Sequence, residues 1–342
     1  MRTLLELFQS SHTDQWVVRH ANGEVPDVRP YGLNKLEFHG IDPVWPDRMH
    51  GLVAQGAKVA AKITGVRLVE GWYASISGVE ARLCWDERTG IPAALDPRTK
   101  GLPVVSGVIW GSARDAPLRT RALLRHAFRP GRHALFVLSQ AQLTSLRSMT
   151  TVAVDYVPFG IDADFWTQFH ALEPNQRLVV SAGNDRHRDF DTLVRGVLAN
   201  PGNRLAIATS RAIRSGERLQ VGPLPHRELR DLYRRATVVA ITTKPNDHCS
   251  GVTALLEAMS CGRPVVATLN PGMDDYVEHG VTGLLVPPGD VGALSGAVNL
   301  LLDDPSRARE MGMAAAARVR QRFTSDHMAS KLADLLLRTA AA

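Results

Sequence analysis

The amino-acid sequence predicts an α/β protein made of two Rossmann-like domains. Short β-branched runs alternate with helical stretches along most of the chain, a pattern typical of parallel α/β domains. The 342 residues are enough for two ordinary domains, since one continuous core of that size is unusual. Residues 157–177, which include Gly160 and Pro174 and are rich in polar side chains, separate two sets of such runs. We therefore expect a hinge in this segment.

Each set contains six candidate strands. Those of the first half are QWVVRH (15–20), IDPVWP (41–46), ARLCW (81–85), LPVVSGVIW (102–110), HALFVLS (133–139) and VDYVPFG (154–160). Those of the second half are RLVVSAG (177–183), RLAIATS (204–210), LQVGP (219–223), TVVAITT (237–243), RPVVATL (263–269) and GLLVPPG (283–289). Strands of this nearly continuous apolar kind are buried on both faces by crossover helices. The last part of the chain, from Ser306 onward, has apolar residues at helical spacing.

The composition is that of a soluble globular protein, with 44% hydrophobic and 22% charged residues. No apolar run approaches the ~20 residues needed to cross a bilayer, and the N-terminal segment lacks the cleavage site of a signal peptide. The three cysteines (Cys84, Cys249 and Cys261) are scattered, which argues against a disulfide framework or a zinc site and fits a reducing compartment. We therefore expect a cytoplasmic protein.

The formal charge of +6 and the pI near 9.5 raise the question of an anionic partner. A nucleic-acid binder usually concentrates such charge in one stripe, often with aromatic residues between. Here the arginines are spread over the chain and only 6% of residues are aromatic, so we expect no nucleic-acid partner. The excess charge fits a phosphorylated ligand or weak peripheral contact with an anionic membrane surface, and for most of the arginines it serves solubility.

The strongest signal for a site is HCSGVTALLEAMSCGRPVVAT (248–268). Ser250 and Gly251 precede an apolar helical run, and a strand follows that run. A glycine at such a helix start leaves backbone N–H groups and the positive end of the helix dipole available to an anion. Glu257 is placed about two turns, ~9 Å, from the helix start, where its carboxylate is available to a ribose.

This segment resembles the C-terminal signature of family 4 retaining glycosyltransferases, which belong to the glycosyl transferases group 1 and have the GT-B fold. Four further segments are similar to that family in the same order: residues 154–166 to its hinge, 177–197 and 221–241 to its nucleotide domain, and 270–290 to the segment after the signature. Residues 30–47 resemble the glycine-bearing loop, helix and strand of its acceptor domain. The resemblance implies an acceptor domain at residues 1–168, facing a nucleotide-sugar domain at 169–322 across a cleft. It also implies a C-terminal helix, 323–342, that crosses back to the first domain.

The resemblance also assigns roles to individual residues. Arg186 and Arg188 match the basic pair on the donor diphosphate and would be catalytic, because two guanidinium groups can neutralise the leaving group without a metal. Glu257 would bind the ribose hydroxyls. The remaining donor-binding positions, around the phosphates and the nucleobase, are Gly183, Gly222, Leu224, Ser250, Gly251, Val252 and Thr253.

Two positions depart from the family pattern. Cys249 stands where the family has the first of two Glu residues, with Asp247 or His248 as possible substitutes in a rearranged loop. The family also often has a His after a strand of its first domain. The corresponding stretch here has none, and its polar or aromatic residues are Trp110, Ser112 and Asp115. Other first-half candidates are the trio Asp86, Glu87 and Arg88, which is either an acceptor-cleft site or a strand cap, and His39, which we interpret as structural.

The function implied is a retaining transfer of sugar from a nucleotide-diphosphate sugar, UDP- or GDP-linked, to a hydroxyl acceptor on a glycan, a glycolipid or a small natural product. We expect no cofactor and no metal, since no D-x-D-like pair follows an apolar strand and Asp274 and Asp275 match a family loop that binds no ion. A catalytically inactive binding or regulatory protein and a nucleotide-sugar epimerase remain alternatives. A Rossmann dehydrogenase is disfavoured because no G-x-G-x-x-G follows the first strand.

Overall fold

The computed structural model describes residues 1–7, 13–46, 77–99, 101–113, 116–167 and 177–342. The chain divides into two compact units. The first consists of Met1–Trp16, Leu33–Pro158 and Asp326–Ala342, and the second of Val17–Gly32 and Phe159–Ser325. In the described part of the chain, no helix has the length and apolar character needed to cross a membrane.

The first unit contains a parallel sheet of six strands in the order β2-β1-β3-β4-β5-β6. The strands are β1 (Arg2–Glu6), β2 (Asp42–Val44), β3 (Ala81–Cys84), β4 (Val104–Gly107), β5 (His133–Val137) and β6 (Ala153–Tyr156). Helices α1 (Thr13–Ala21), α2 (Glu87–Leu95), α3 (Leu118–Ala127), α4 (Gln140–Arg147) and α11 (Ser325–Ala340) belong to it wholly or in part, and 3₁₀ turns cover Pro30–His39 and Pro97–Thr99. Every residue of β3, β4 and β5 is buried, as expected of strands covered on both faces.

The second unit contains a second parallel sheet of six strands, in the order β12-β11-β10-β7-β8-β9. The strands are β7 (Leu178–Ala182), β8 (Arg204–Ala208), β9 (Leu219–Gly222), β10 (Val238–Ile241), β11 (Val265–Thr268) and β12 (Gly283–Val286). The helices are α5 (Ala163–Thr167), α6 (Phe190–Leu198), α7 (His226–Arg235), α8 (Val252–Ser260), α9 (Val291–Asp303) and α10 (Pro305–Arg322). One apolar core joins the sheet to α6, α9 and α10, with Val179, Leu193 and Leu294 among its fully buried members.

Two six-stranded parallel sheets with helical crossovers confirm the predicted pair of Rossmann-like units. Eleven of the twelve predicted strands are strands in the structure, but QWVVRH is wrong. Those residues lie in α1. Basic residues, Arg19 and His20, occupy its last turn, where they suit the negative end of the helix dipole. The strand that takes its place in the sheet is β1, Arg2–Glu6.

The compact units divide the chain at other positions than the predicted domain limits of 1–168, 169–322 and 323–342, which stay predictions. The segment Val17–Gly32 is grouped with the second unit. Its Asp27 accepts a hydrogen bond from the Ser325 hydroxyl at 2.9 Å, and the N–H of Asp27 donates to Asp162 at 2.9 Å. Gly32 lies so close to Ser325 that a Cβ at position 32 would be 2.4 Å from the Ser325 Cβ.

Candidate functional site

The order of the second sheet places a site between β7 and β10. The chain passes from β7 outward to β8 and β9, then returns to β10 on the other side of β7. Ligands of open α/β sheets bind at the carboxyl ends of the strands where the order reverses in this way. The two loops that meet there follow β7, at residues 183–189, and β10, at residues 242–251. Seven of the ten predicted site residues lie in or directly after these two loops. A backbone hydrogen bond connects the loops: the N–H of Lys244 donates to the carbonyl of His187 at 2.7 Å.

Arg188 is the buried centre of this region, with 1% of its surface exposed. Its Nη2 donates to the Ser181 hydroxyl at 2.9 Å. Its Nε and Nη1 are buried and have no hydrogen-bond partner among the described residues. Burial lowers the pKa of Arg188 to about 10, with Tyr233 and Asp185 acting against it, so the side chain is still a cation at neutral pH. A buried guanidinium with open donors is costly unless a ligand satisfies it.

Two glycines make room for this guanidinium. Gly251, at the N-cap of α8, has φ 91°, and a Cβ there would lie 2.6 Å from Arg188 Nη1 and 2.6 Å from a methyl group of Ile241. Gly183, with φ 126°, would place a Cβ 3.3 Å from Arg188 Nε. Arg188 Nη1 therefore points to the start of α8.

The start of α8 has no capping side chain, and the N–H of Val252 donates to the backbone carbonyl of Cys249 at 3.1 Å. Ser250 is buried, and its own N–H donates to Asn246 at 3.1 Å. Val252 and Thr253 form the first turn of the helix, at the positive end of its dipole. The structure thus brings Arg188, Gly183, Ser250, Gly251, Val252 and Thr253 to one place, and that place combines a fixed cation with a helix N-terminus. This combination is suited to a phosphate.

Glu257 lies further along α8 and is buried. The Tyr233 hydroxyl donates to its Oε2 at 3.4 Å, and Tyr233 packs against Trp166 with ring centroids 6.0 Å apart. Burial raises the pKa of Glu257 to about 8, with the Tyr233 hydrogen bond acting in the opposite direction. A carboxyl group in such surroundings gains from polar hydrogens that a ligand supplies.

Gly222 and Leu224 lie at the end of β9 and just beyond it. Gly222 pairs with Ala208 of β8, and nothing lies within 4 Å of the position its Cβ would take. Leu224 is 37% exposed. Because β9 is two strands from β7, these residues stand about 10 Å from the Arg188 loop, at the spacing of adjacent strands. Arg186 is exposed, unlike Arg188, so the structure separates the environments of the two predicted catalytic arginines.

The position of the missing Glu is occupied by a strained cysteine. Cys249 is buried and has φ 50°, a left-handed conformation that few residues other than glycine adopt. Its thiol donates to the carbonyl of Pro271 at 3.6 Å. His248, one of the two possible substitutes, is buried with Nε2 3.5 Å from Asp185 Oδ2.

Sequence reasoning missed a polar cluster beside the Arg188 loop. His187 Nδ1 lies 3.2 Å from Asp185 Oδ1, and the rings of His187 and His248 are 4.6 Å apart. Burial alone would raise the pKa of Asp185, but the nearby His248 side chain and the N–H of His187 outweigh it and hold that pKa well below its usual range. The available signal was the D-x-H spacing directly after a predicted strand.

In the first unit, the trio at the end of β3 acts mainly as a cap. Asp86 caps α2, and Arg88 donates back to Asp86 at 2.6 Å while its guanidinium lies 4.3 Å from the centre of the Trp110 ring. Glu87 accepts the N–H groups of Ile109 and Trp110 at 2.8 and 3.1 Å, and burial raises its pKa to about 7. Ser112 is buried, whereas Asp115 lies outside the described residues. His39 contacts Asp326 at 3.1 Å.

Residues 219–318 match the family described as Glycosyl transferases group 1. The group 1 segment includes α8 with Gly251 and Glu257, and the Arg188 loop precedes it. The predicted resemblance is confirmed at the level of group 1, and the narrower assignment to family 4 stays a prediction.

Curated relatives of the chain include two named D-inositol 3-phosphate glycosyltransferases. One, from Catenulispora acidiphila, is 34% identical over 38% of this chain and 33% of the relative. The other, from Pseudarthrobacter chlorophenolicus, is 27% identical over 72% of this chain and 64% of the relative. The matches to these two proteins thus span about one third and just under two thirds of the relatives' lengths.

Similar solved structures cover nearly the whole chain. A sucrose-phosphate synthase from Thermosynechococcus elongatus has a TM-score of 0.69 at 18% identity and covers 99% of both chains. HepE from Anabaena, in complex with UDP-glucose, has a TM-score of 0.66 at 17% identity and covers 99% of this chain and 100% of its own. At this level of identity the likeness concerns the fold, and it confirms the predicted GT-B class.

Proposed function

We propose that this chain is a retaining glycosyltransferase that moves a sugar from a nucleotide-diphosphate sugar to a hydroxyl acceptor. The observation that carries the proposal is Arg188, buried at the start of α8 with Nε and Nη1 open. A buried cation beside uncapped backbone N–H groups fits a diphosphate, whose charge satisfies both. The group 1 assignment of residues 219–318 gives independent support.

The other donor-site residues fit the same ligand. Glu257, about two turns along α8, is proposed to accept the ribose hydroxyls, which would favour its ionised form. Gly222 and Leu224, two strands away, are proposed to lie against the nucleobase, with the open space at Gly222 allowing close approach of a base to the backbone. The donor is proposed to be UDP- or GDP-linked, in keeping with the UDP-glucose bound by HepE.

In the proposed reaction, the bond between the anomeric carbon and the diphosphate oxygen breaks. The acceptor oxygen bonds to the same face of the sugar, and its proton passes to the leaving phosphate. Negative charge grows on the leaving oxygens, where Arg188 and the α8 N-terminus stabilise it more strongly than in the ground state. Arg186 is proposed to add charge from the exposed part of the same loop. The chemistry then needs no Mg²⁺ or Mn²⁺, because the protein supplies the positive charge.

The acceptor class is proposed as a glycan, a glycolipid or a small natural product. The name of the relatives, D-inositol 3-phosphate glycosyltransferase, adds a phosphorylated polyol to the panel of acceptors to be tested. A cytoplasmic location and weak peripheral contact with an anionic membrane remain predictions from the sequence.

The proposal is tested by nucleotide binding followed by turnover. We expect one of UDP, GDP, ADP and dTDP to raise the melting temperature, since a ligand of the folded state stabilises it. The sugar nucleotide of that base should be hydrolysed slowly alone and faster with a true acceptor, in EDTA as well as with Mg²⁺. Binding of no nucleotide would overturn the proposal, and an absolute need for Mg²⁺ or Mn²⁺ would overturn its metal-free part.

Glu257→Ala should weaken binding of the nucleotide by at least ~1.5 kcal/mol in calorimetry, the scale of a charged hydrogen bond. Glu310→Ala, on the exposed face of α10, is the matched control and should leave the affinity unchanged. Equal affinities of the two variants would remove Glu257 from the donor site.

Cys249 favours a second candidate, an inactive binding protein. The family's first Glu is absent there, and the left-handed backbone keeps the thiol against Pro271. This candidate predicts tight nucleotide binding without hydrolysis or transfer, so the same assays separate it from the enzyme. An epimerase would instead interconvert the sugar without releasing nucleoside diphosphate.

A further inference from the structure

The loops after β7 and β10 bring three potential metal ligands together: Asp185, His187 and His248. One ligand atom from each can be chosen so that all three lie within 4.8 Å of one another. His187 Nδ1 is 3.2 Å from Asp185 Oδ1, and His248 Nε2 is 3.5 Å from Asp185 Oδ2. Each histidine thus contacts a different oxygen of Asp185, at a separation close to the ~3.3 Å between two ligands of a tetrahedral ion at ~2.0–2.1 Å.

His248 contributes two buried ring nitrogens that lack hydrogen bonds among the described residues. Its side chain is 3% exposed. The Asp185 carboxylate, 3.5 Å from Nε2, is too far for a well-formed hydrogen bond, whereas a metal ion between the two groups would satisfy Nε2 directly. Asp185 remains 28% exposed, which leaves a further coordination position open to solvent.

We propose that Asp185, His187 and His248 bind one divalent transition-metal ion of the kind that prefers imidazole, such as Zn²⁺, Co²⁺ or Ni²⁺. Two nitrogen ligands and one carboxylate favour these ions over Mg²⁺, which takes oxygen ligands. The proposal departs from the sequence-based expectation of no metal, which considered neighbouring carboxylates and the cysteines but not the histidines. It concerns residues other than those assigned to the donor, and it gives the ion no part in the transfer.

The ion would connect the loop after β7 to the loop after β10. Asp185 and His187 flank the turn that ends in Arg188, and His248 lies three residues before Gly251. A metal bond between the loops would hold Arg188 against the start of α8. It would therefore stabilise the folded state in the absence of any nucleotide, because an ion that binds only the folded chain shifts the unfolding equilibrium.

The test uses the full chain, treated with EDTA and dialysed, and no nucleotide. Zn²⁺ titration by calorimetry should give one ion per chain, Co²⁺ should give visible absorption bands, and both ions should raise the melting temperature. His187→Gln and His248→Gln should each weaken Zn²⁺ binding at least tenfold. His126→Gln, at an exposed position of α3, is the matched control and should bind within twofold of the parent.

Failure of the parent chain to bind Zn²⁺, or equal affinity in the parent and both variants, would overturn the proposal. If His248→Gln does not fold, judged by circular dichroism, His187→Gln and Asp185→Asn decide the matter alone. Because no donor is present, a negative result here leaves the glycosyltransferase proposal intact. A negative result in the nucleotide assays likewise leaves the metal site intact.

Discussion

Arg82 in the first unit and Arg188 in the second are both arginines with almost no exposed surface, 0% and 1%. Arg82 donates through Nε and Nη2 to Glu6, at 2.7 Å each, and through Nη1 to Asp96 at 3.2 Å. Among the described residues, the side chain of Arg188 donates one hydrogen bond, to Ser181, and it faces two glycines. Burial acts to lower the pKa of both, but Glu6 and Asp96 more than reverse this at Arg82, whereas at Arg188 the pKa falls to about 10.

Arg82 is therefore a structural arginine, whereas Arg188 has side-chain donors that a ligand can satisfy. At Arg82 the charge is neutralised inside the protein, so the side chain joins β3 to β1 and to the segment after α2. At Arg188 the described residues supply desolvation without a direct salt bridge, which raises the affinity for an incoming anion. Burial alone therefore does not reveal the role of a charged residue; the count of satisfied donors does.

The largest effect is expected at Arg82. Arg82→Met leaves Glu6 as a buried carboxylate without its counter-charge and Asp96 with Arg98 alone, which should lower the free energy of unfolding by ~3–5 kcal/mol in urea titrations. Arg338→Ala, which removes an exposed ion pair with Asp155 in the same unit, should cost at most ~1 kcal/mol. If Arg82→Met lowers the free energy of unfolding no more than Arg338→Ala does, the structural role assigned to Arg82 is wrong.

The next effect is kinetic and belongs to Arg188. Arg188→Ala should reduce kcat/KM by ~10²–10³-fold, the usual cost of one donor to the transition state, without lowering stability. Arg188→Lys should be milder, since it keeps the charge but loses the forked geometry. Arg186→Ala should be milder still, because that side chain is exposed and its charge is screened by solvent.

Steady-state kinetics of the three variants with the donor identified by nucleotide binding provide the measurement, and Arg195→Ala on the exposed face of α6 is the charge-matched control. Near-parental kcat/KM in Arg188→Ala would show that its open donors have no catalytic use. A loss of stability comparable to that of Arg82→Met would place Arg188 in the structural class instead.

The smallest effect is the pH dependence of stability that the buried carboxyl group of Glu257 causes. The pKa of Glu257 is raised from 4.5 to about 8, so the folded chain keeps a proton that the unfolded chain releases. The stability this contributes is complete below pH 4.5 and is lost as pH rises toward 8. Relative to Glu257→Gln, the parent should lose ~1.4 kcal/mol of unfolding free energy between pH 6 and pH 7. Parallel curves for the two proteins in that interval would contradict the shift.

Much of the second unit was predictable from sequence. All six of its strands, the glycine at the start of α8 and the position of Glu257 along that helix follow from local patterns that tertiary packing does not override. The first half was less predictable. QWVVRH carries two valines typical of a strand, yet it is a half-exposed helix, while β1 has only five residues and is recognisable mainly by its place in the sheet.

The parts of the site that escaped prediction depend on contacts between distant residues. The sequence shows two arginines at positions 186 and 188 but not that one is buried and the other exposed. Likewise, His187 follows β7 and His248 follows β10, with β8 and β9 between them in the chain. Their rings lie 4.6 Å apart because β7 and β10 are neighbours in the sheet. The contact of the Cys249 thiol with the carbonyl of Pro271, 22 residues later, is likewise encoded by no local pattern.

The Val17–Gly32 segment has a consequence for how the chain is made. It belongs to the second unit, and its Asp27 accepts a hydrogen bond from Ser325, 298 residues later. At a synthesis rate of ~5–20 residues per second, this early segment waits roughly 15–60 s on the ribosome before its partner exists. The second unit is therefore completed only after Ser325 has been synthesised, and Val17–Gly32 lacks its native contacts with this residue until then. Contacts of such long range slow folding, so refolding of the whole chain should lag behind formation of its individual helices.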